Sequence, residues 1–238
     1  MTPASSAAPL LGLLLAAGRG FRFDASGQQN KLLASVNNEP VALIAARNLR
    51  RAVDCMLIVI RPGAQALAQA LAPVDATVLE CPDAAAGMGH SLAFGITHAL
   101  RLFAPRAVLL ALADMPYIQD RTLTAIARYA VGDHVIAVPR FNGQRGHPVL
   151  FGRAHFAQLQ QSVGDAGAAR LLGVRADVRA DESASERKGE RTGEGKRTSN
   201  GTGEQVGVAT DDNAVQWLDV DDAGVIRDID RPQDLHSA

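Results

Sequence analysis

The chain has 238 residues, of which 24 are Lys or Arg and 25 are Asp or Glu, so its formal net charge is −1. This balance provides no general attraction for polyanions or membrane surfaces, and it excludes a nucleic-acid scaffold held by bulk charge. The two cysteines, Cys55 and Cys81, lie in no Cys/His cluster. Their isolation argues against a structural zinc site and favours a reducing compartment.

The first apolar run, over residues 10–17, is similar to the hydrophobic part of a secretion signal. No Lys or Arg precedes it, and it is far too short to span a bilayer. We therefore interpret Leu10–Ala16 as a buried strand. No other stretch is long and apolar enough for a membrane helix, so the sequence predicts a cytoplasmic protein with no membrane or nucleic-acid partner.

The next predicted elements alternate between helix and strand, as judged from hydrophobic spacing. They are a helix over 40–52 that Asn37 or Asn38 caps, a strand over 56–60, a helix over 64–71, a strand over 77–79, a helix over 91–103, a strand over 107–112, a helix over 121–129 and a strand over 135–138. Repeated β-α-β units predict an α/β fold with a mostly parallel sheet that helices cover on both faces.

Residues 181–212 break this pattern, because they mix charged residues with Gly, Ser and Thr and contain no aromatic residue. Such a segment buries too little apolar surface to offset its ordering entropy. We predict a disordered insertion within a single domain over 1–238, with a flexible lid as the functional alternative. After it, the sequence predicts strands over 215–220 and 225–229 and a short helix from Pro232.

The strongest functional signal is a glycine-bearing loop, LAAGRGFR over 15–22, followed by Lys31. Glycines let backbone N–H groups approach phosphate oxygens, and Arg22 and Lys31 add positive charge. The loop lacks the third glycine of a dinucleotide fingerprint, and no GxxxxGK[ST] occurs. Neither a Rossmann dehydrogenase nor a P-loop NTPase is therefore supported. An ordinary strand-to-loop turn remains the alternative.

A second signal is LADMP over 112–116, where a buried strand leads directly into Asp114. Open α/β sheets bind ligands at the carboxyl ends of their strands, and a carboxylate there suits Mg²⁺. The alternative is that Asp114 caps the following helix.

A third segment, GMGHSL over 87–92, lies between a predicted strand and helix. Its N–H groups and Ser91 are predicted to contact the base or ribose at the helix N-terminus. The alternative is that Ser91 only caps the helix.

Five motifs in one order resemble the molybdenum cofactor nucleotidyltransferases, and most of all their cytidylyltransferase branch. They are LAAGxGxR…KLL, LADMP, RGHPVLF over 145–151, GDAG over 164–167 and DIDRPQDL over 228–235. The resemblance covers nearly the whole chain except 181–212. It implies a Rossmann-like three-layer nucleotidyltransferase fold with a mostly parallel mixed sheet. It also implies Mg²⁺-dependent transfer of CMP from CTP to the phosphate of molybdopterin, with release of pyrophosphate.

The resemblance further implies roles for individual residues. It implies catalytic roles for Arg22, Lys31 and Asp114, and metal binding by Asp114 with Asp230, Asp228 being the less favoured second ligand. For the nucleotide, the implied or predicted contacts are Leu15, Ala16, Ala17, Gly18, Arg19, Gly20, Lys31, Gly87 and Ser91. For the acceptor they are Arg145, Gly146, His147, Pro148 and Asp165, and we interpret His147 as lining the pterin pocket rather than as a base. The family's guanylyltransferases usually have LAGG, so Ala17 favours CTP.

Three positions depart from the family pattern. Phe23-Asp24 follows the loop arginine where Met-Gly is common, Arg170 lies one residue late in GDAGAAR, and Arg231 replaces a usual Thr. The alternatives left open are a guanylyltransferase or another sugar- or alcohol-phosphate nucleotidyltransferase, and a non-catalytic module that delivers molybdopterin. The recipient implied by the resemblance is a molybdenum hydroxylase of the xanthine dehydrogenase type.

Overall fold

A computed structural model of the protein describes residues 8–18, 20, 22–24, 29–164, 168 and 215–236. The strands are β1 (Leu10–Ala16), β2 (Ser35–Val36), β3 (Glu39–Pro40), β4 (Cys55–Ile60), β5 (Thr77–Glu80), β6 (Ala107–Leu112), β7 (Ile136–Phe141), β8 (Gln144–Arg145), β9 (Val149–Gly152) and β10 (Val215–Asp219). The α-helices are α1 (Val41–Arg50), α2 (Gln65–Leu71), α3 (Met88–Leu102), α4 (Asp120–Ala127) and α5 (Phe156–Leu159). Short 3₁₀ turns connect several of them.

The main sheet has the strand order β10-β7-β9-β6-β1-β4-β5, with β8 paired to β7. Strand β1 is buried along its whole length and pairs in parallel with both β4 and β6. Strand β9 is antiparallel to β6 and to β7, while β10 runs parallel to β7. The sheet is therefore mixed, with a parallel half that contains β1.

Side chains of β1 alternate between the two faces of the sheet, as expected for a strand buried on both sides. Leu10 and Leu14 join a core with α1, α2 and α4, whereas Leu11 and Leu13 join a second core with α3 and α5. Helices thus cover both faces, and the predicted Rossmann-like three-layer α/β fold is confirmed.

Two sequence predictions about local structure were wrong, and one alternative that the sequence left open is excluded. Asn37 and Asn38 do not cap α1; their φ angles of 51° and 66° form the turn of the β2–β3 hairpin, and α1 begins at Val41. Ser91 does not cap α3, because that helix begins at Met88. The predicted 181–212 insertion and Arg170 lie outside the described residues.

The second wrong prediction concerns 225–229, which form no strand; Ala223–Ile226 is a 3₁₀ turn instead. The cause is Asp222, whose side chain is 1% exposed. One of its oxygens accepts from Gly224 N at 2.9 Å, and the other accepts from Gln119 N at 2.9 Å and Thr122 Oγ1 at 2.6 Å. These bonds hold the turn against the start of α4, so the chain cannot extend.

Asp222→Ala is expected to lower the free energy of unfolding by about 3 kcal/mol, because three donors, two of them in buried hydrogen bonds, lose a charged acceptor. Urea denaturation followed by circular dichroism measures this loss. Asp221→Ala is the matched control, since the adjacent side chain is exposed, and its effect should stay below about 0.5 kcal/mol. Equal losses in the two variants would contradict the assigned role of Asp222.

Candidate active site

The candidate site lies at the carboxyl edge of the parallel half of the sheet. Strands β1 and β6 run side by side, with Leu15 opposite Leu112. Ala113 N donates to Leu15 O at 3.0 Å, which places the next residue, Asp114, beside the loop that leaves β1. Asp114 does not cap a helix, because α4 begins only at Asp120.

Lys31 lies between two carboxylates. Its Nζ donates to Asp114 Oδ2 at 2.7 Å and to Asp230 Oδ1 at 2.9 Å, and its side chain is 10% exposed. Arg22 Nη1 donates to the second oxygen of Asp230 at 2.9 Å, but that arginine side chain is 70% exposed. The structure thus brings together Arg22, Lys31, Asp114 and Asp230, which sequence reasoning had proposed for one cleft.

The charges in this cluster stabilise one another. Burial alone would lower the pKa of Lys31, but Asp114 and Asp230 outweigh it and raise that pKa above its ordinary value. Burial would likewise raise the pKa of Asp230, but Lys31 and Arg22 outweigh it and lower that pKa. At neutral pH the lysine is therefore an ammonium and Asp230 is a carboxylate.

Local structure sets the direction of the Lys31 side chain. Residues Lys31–Leu33 form a 3₁₀ turn, and the side chain of Asn30 accepts from Leu32 N at 3.1 Å. Sequence analysis missed Asn30, although an Asn immediately before an apolar run is a common cap signal.

The C-terminal segment supplies the remaining acidic residues. Ile229 is fully buried, and its N–H donates to Asp114 O at 2.9 Å. Asp234 Oδ2 accepts from the N–H groups of Asp230 at 2.9 Å and Arg231 at 2.7 Å. Oxygens of Asp114, Asp228 and Asp230 consequently lie within 4.8 Å of one another.

This carboxylate group fits a divalent cation such as Mg²⁺ or Mn²⁺, which prefers oxygen ligands. Asp114 Oδ1 is buried and accepts no hydrogen bond from the described residues. A buried carboxylate oxygen without a partner is rare. The oxygen is therefore available as a ligand, and Asp228 adds a third carboxylate that sequence analysis placed second to Asp230.

A cavity of about 460 Å³ opens beside Lys31 and Asp114, a size suited to a small organic ligand. The predicted nucleotide residues that line it are Leu15, Ala16, Ala17, Gly18, Lys31, Gly87 and Ser91. Gly20 is not among the lining residues, and Arg19 lies outside the described part of the chain. Met88 also lines the cavity, and sequence analysis missed it because an apolar residue next to glycine carries no functional signal.

The N-terminus of α3 forms one wall of the cavity. Gly87 has a φ of +119°, which favours glycine, and the helix starts at the next residue. Two residues further on, Gly89 N donates to Gly164 O at 2.7 Å. A Cβ on Gly89 would lie 2.7 Å from the carbonyl carbon of Val163, so the helix contacts this loop closely.

Gly89→Ala is expected to raise the KM for the nucleotide about tenfold with a smaller change in kcat, because the first turn of α3 must shift away from the loop. Steady-state kinetics at varied nucleotide concentration measure this. Gly95→Ala is the control on the same helix: its Cβ would lie 2.8 Å from Leu13 Cδ1, so the end of that side chain must shift within the core, and the KM should stay unchanged. A similar KM change in both variants would contradict the proposal that the N-terminus of α3 forms a wall of the nucleotide cavity.

Among the predicted acceptor residues, His147 is close enough to Asp114 for the carboxylate to affect its pKa. His147 N donates to Val225 O at 2.8 Å, and a Cβ on Gly146 would lie only 2.3 Å from that same oxygen. Burial lowers the pKa of His147 despite the opposing charge of Asp114, so its ring is neutral at pH 7. Its Nδ1 is buried and has no partner within the described structure. Arg145 is exposed, Pro148 is buried, and Asp165 lies outside the described residues.

The fold has three layers, with helices on both faces of an open sheet. At the carboxyl ends of the parallel strands, it places a buried lysine and converging carboxylates beside a glycine loop. This combination defines the class of nucleotidyltransferases. Comparison of the sequence with family models supports this class, since residues 12–181 match the MobA-like NTP transferase domain. The chain belongs to that family. Sequence reasoning had therefore identified the nucleotidyltransferase class and its fold correctly.

The chain is also similar to individual proteins and solved structures. The chain is 32% identical over 171 residues to the purine catabolism protein PucB of Bacillus subtilis (strain 168), across 68% of this chain and 80% of that protein. The crystal structure of Rv0371c from Mycobacterium tuberculosis H37Rv shares the fold, with a TM-score of 0.63, 23% identity and coverage of 94% and 95% of the two chains. A manganese complex of Rv0371c is 25% identical, with a TM-score of 0.55 over 71% of this chain and 84% of that one. None of the helices described above is long and apolar enough to cross a bilayer.

Proposed function

We propose that this protein transfers CMP from CTP to the phosphate of the molybdopterin cofactor and releases pyrophosphate. The observation that carries the proposal is the contact of Lys31 with Asp114 and Asp230 at the edge of the nucleotide-sized cavity. Positive and negative groups at one point suit a metal-bound polyphosphate. The RGHP and LAAG motifs support the molybdopterin acceptor and CTP, respectively, by their resemblance to the cytidylyltransferase branch.

In the proposed reaction, an oxygen of the acceptor phosphate forms a bond to the α-phosphorus of CTP. The bond from that phosphorus to the bridging oxygen of the β-phosphate breaks, and pyrophosphate leaves with the electron pair. The acceptor oxygen is already ionised at pH 7, so no strong base is needed. Burial lowers the pKa of His147 and so makes it a weaker base, which fits its proposed place in the wall of the acceptor pocket. Catalysis then depends on alignment and on neutralising charge.

The chain's own residues have distinct roles in this scheme. Lys31, Arg22 and the N–H groups of the glycine loop bind the phosphates and stabilise the charge on the departing pyrophosphate. Asp114 and Asp230 are the proposed ligands of Mg²⁺, since they converge on one point, with Asp228 as a further carboxylate nearby. When bound, the cation neutralises charge on the phosphate oxygens.

The recipient of the finished cofactor is proposed to be a molybdenum hydroxylase of the xanthine dehydrogenase type. The name of the Bacillus subtilis relative, a purine catabolism protein, agrees with an enzyme that oxidises purines. The proposed compartment is the cytoplasm.

The test is pyrophosphate release measured with molybdopterin cofactor, Mg²⁺ and CTP, GTP or ATP in parallel. The expected result is release with CTP at least about tenfold faster than with GTP, a ratio that corresponds to about 1.4 kcal/mol. Ala17→Gly is the informative variant, because Ala17 lines the cavity and its replacement should move the preference towards GTP. Equal or faster release with GTP in the wild type would make the protein a guanylyltransferase. Tight cofactor binding without release from any nucleotide would make it a delivery module.

A further inference from the structure

We propose that the Lys31 ammonium blocks the metal site of the free protein by occupying Asp114 and Asp230. The phosphates of a bound nucleotide attract this ammonium away and so make the two carboxylates available to the cation. The inference rests on the proposed function, because it takes the nucleotide and the cation to share this cavity. Its consequence is an order of binding: the cation is held tightly only together with the nucleotide.

The first argument is the position of the ammonium. Lys31 Nζ contacts Asp114 Oδ2 at 2.7 Å and Asp230 Oδ1 at 2.9 Å, and Arg22 contacts the other oxygen of Asp230. A divalent ion held by both carboxylates finds Asp114 Oδ1 without a partner among the described residues, but at Asp230 it must compete with Lys31 or Arg22 for an oxygen. Two cations at contact distance repel strongly in a half-buried site. Ammonium and metal ion therefore compete for the same carboxylates.

The second argument is that the ammonium is held in place while the cavity contains no phosphate. The lysine side chain is 10% exposed. Its stem packs beside Gly20 of the glycine loop, where an added Cβ would lie 3.4 Å from Lys31 Cγ. Without this ammonium, Asp114 would lose its charged partner, and Asp230 would keep only the mostly exposed Arg22 among the partners described above. Removing one partner of a largely buried pair is costly, so Lys31 does not leave spontaneously.

The third argument is that the same side chain reaches the nucleotide. Lys31 and Asp114 both line the cavity, and a lysine ammonium turns easily on its flexible four-carbon stem. A triphosphate offers several negative oxygens, which replace the carboxylates as partners of Nζ. Binding of nucleotide and metal is then coupled, and by linkage each tightens the other.

The test is titration of Mn²⁺ into the full-length protein in the absence of nucleotide, with free Mn²⁺ followed by electron paramagnetic resonance. Lys31→Met is expected to bind Mn²⁺ at least about tenfold more tightly than the wild type, within the usual range of coupling between sites. Equal or weaker binding by Lys31→Met overturns the proposal. Lys31→Gln is neutral but retains hydrogen-bond donors, and it provides the same comparison where the methionine variant fails to fold.

Two further variants locate the effect. The double variant Lys31→Met/Asp114→Asn should not show the increased Mn²⁺ affinity of Lys31→Met. An increase that persists would place the ion elsewhere and refute the inference. Arg22→Met removes the other positive partner of Asp230, but Arg22 is 70% exposed. Because solvent screens exposed charges, the Mn²⁺ affinity of Arg22→Met should exceed that of the wild type by less than about threefold.

The metal titration contains neither nucleotide nor acceptor, so it is independent of the reaction. Wild-type protein that releases no pyrophosphate from any nucleotide refutes the proposed function but leaves the titration interpretable. Normal pyrophosphate release together with equal Mn²⁺ affinities in wild type and Lys31→Met refutes only the proposal that Lys31 blocks the metal site.

Discussion

Asp114→Ala is expected to lower the turnover number for pyrophosphate release by at least about 100-fold, the scale of losing one electrostatic catalytic group. The variant loses the carboxylate that contacts Lys31 and whose other oxygen has no partner. It therefore removes both a proposed metal ligand and the partner that positions the lysine. Turnover at saturating nucleotide and acceptor measures the effect, and Mn²⁺ affinity measured with bound nucleotide should fall in parallel.

Asp75→Ala is the matched control for this loss of a carboxylate. Asp75 precedes β5, the edge strand of the parallel half of the sheet, and its 91% exposed side chain pairs with Arg50. Its replacement should change turnover by less than about twofold, as surface ion pairs contribute little. Near-normal turnover in Asp114→Ala would remove Asp114 from the mechanism.

Lys31→Met is expected to lower turnover by at least about 100-fold, because the departing pyrophosphate loses its buried cation. The same variant is expected to bind metal more tightly without nucleotide. Opposite effects on metal affinity and on rate are a signature that a merely structural role of Lys31 would not produce. Steady-state kinetics and the Mn²⁺ titration together measure both.

Arg22→Met provides the comparison for Lys31→Met. Both side chains bind Asp230, but the arginine is mostly exposed, so its removal should cost at most about tenfold in turnover because water screens exposed charges. A larger loss in Arg22→Met than in Lys31→Met would reverse the assigned importance of the two cations.

The sequence alone was most informative where a local pattern determines the structure. A continuous apolar run predicted β1 with its observed bounds, because a strand covered on both faces contains few polar residues. The position of Asp114 followed in the same way, since the apolar run of β6 ends just before it. The predicted start of α3 was three residues late, because Gly87 and Gly89 interrupt the helical spacing before the observed start at Met88.

Long-range packing decided what the sequence left open. Strand β9 was missed, although Val149–Gly152 lies between β6 and β7 in the sheet, because a four-residue apolar run has no distinctive period. The segment over 225–229 has the apolar composition of a strand, yet the buried Asp222 holds its first residues in a 3₁₀ turn. The local pattern contains no information about Thr122, whose hydroxyl donates to Asp222 across 100 positions of the chain.

By itself, the sequence determined the α/β class, the nucleotidyltransferase family and the candidate residues, because strand periodicity and short motifs are local properties. Only the tertiary structure decided how those residues meet. Lys31 contacts Asp114 across 83 positions and Asp230 across 199, and Ile229 is held to Asp114 O by a backbone hydrogen bond. The physical reason is that parallel strand order brings distant loops to one edge of the sheet, where burial makes each charge depend on its neighbours.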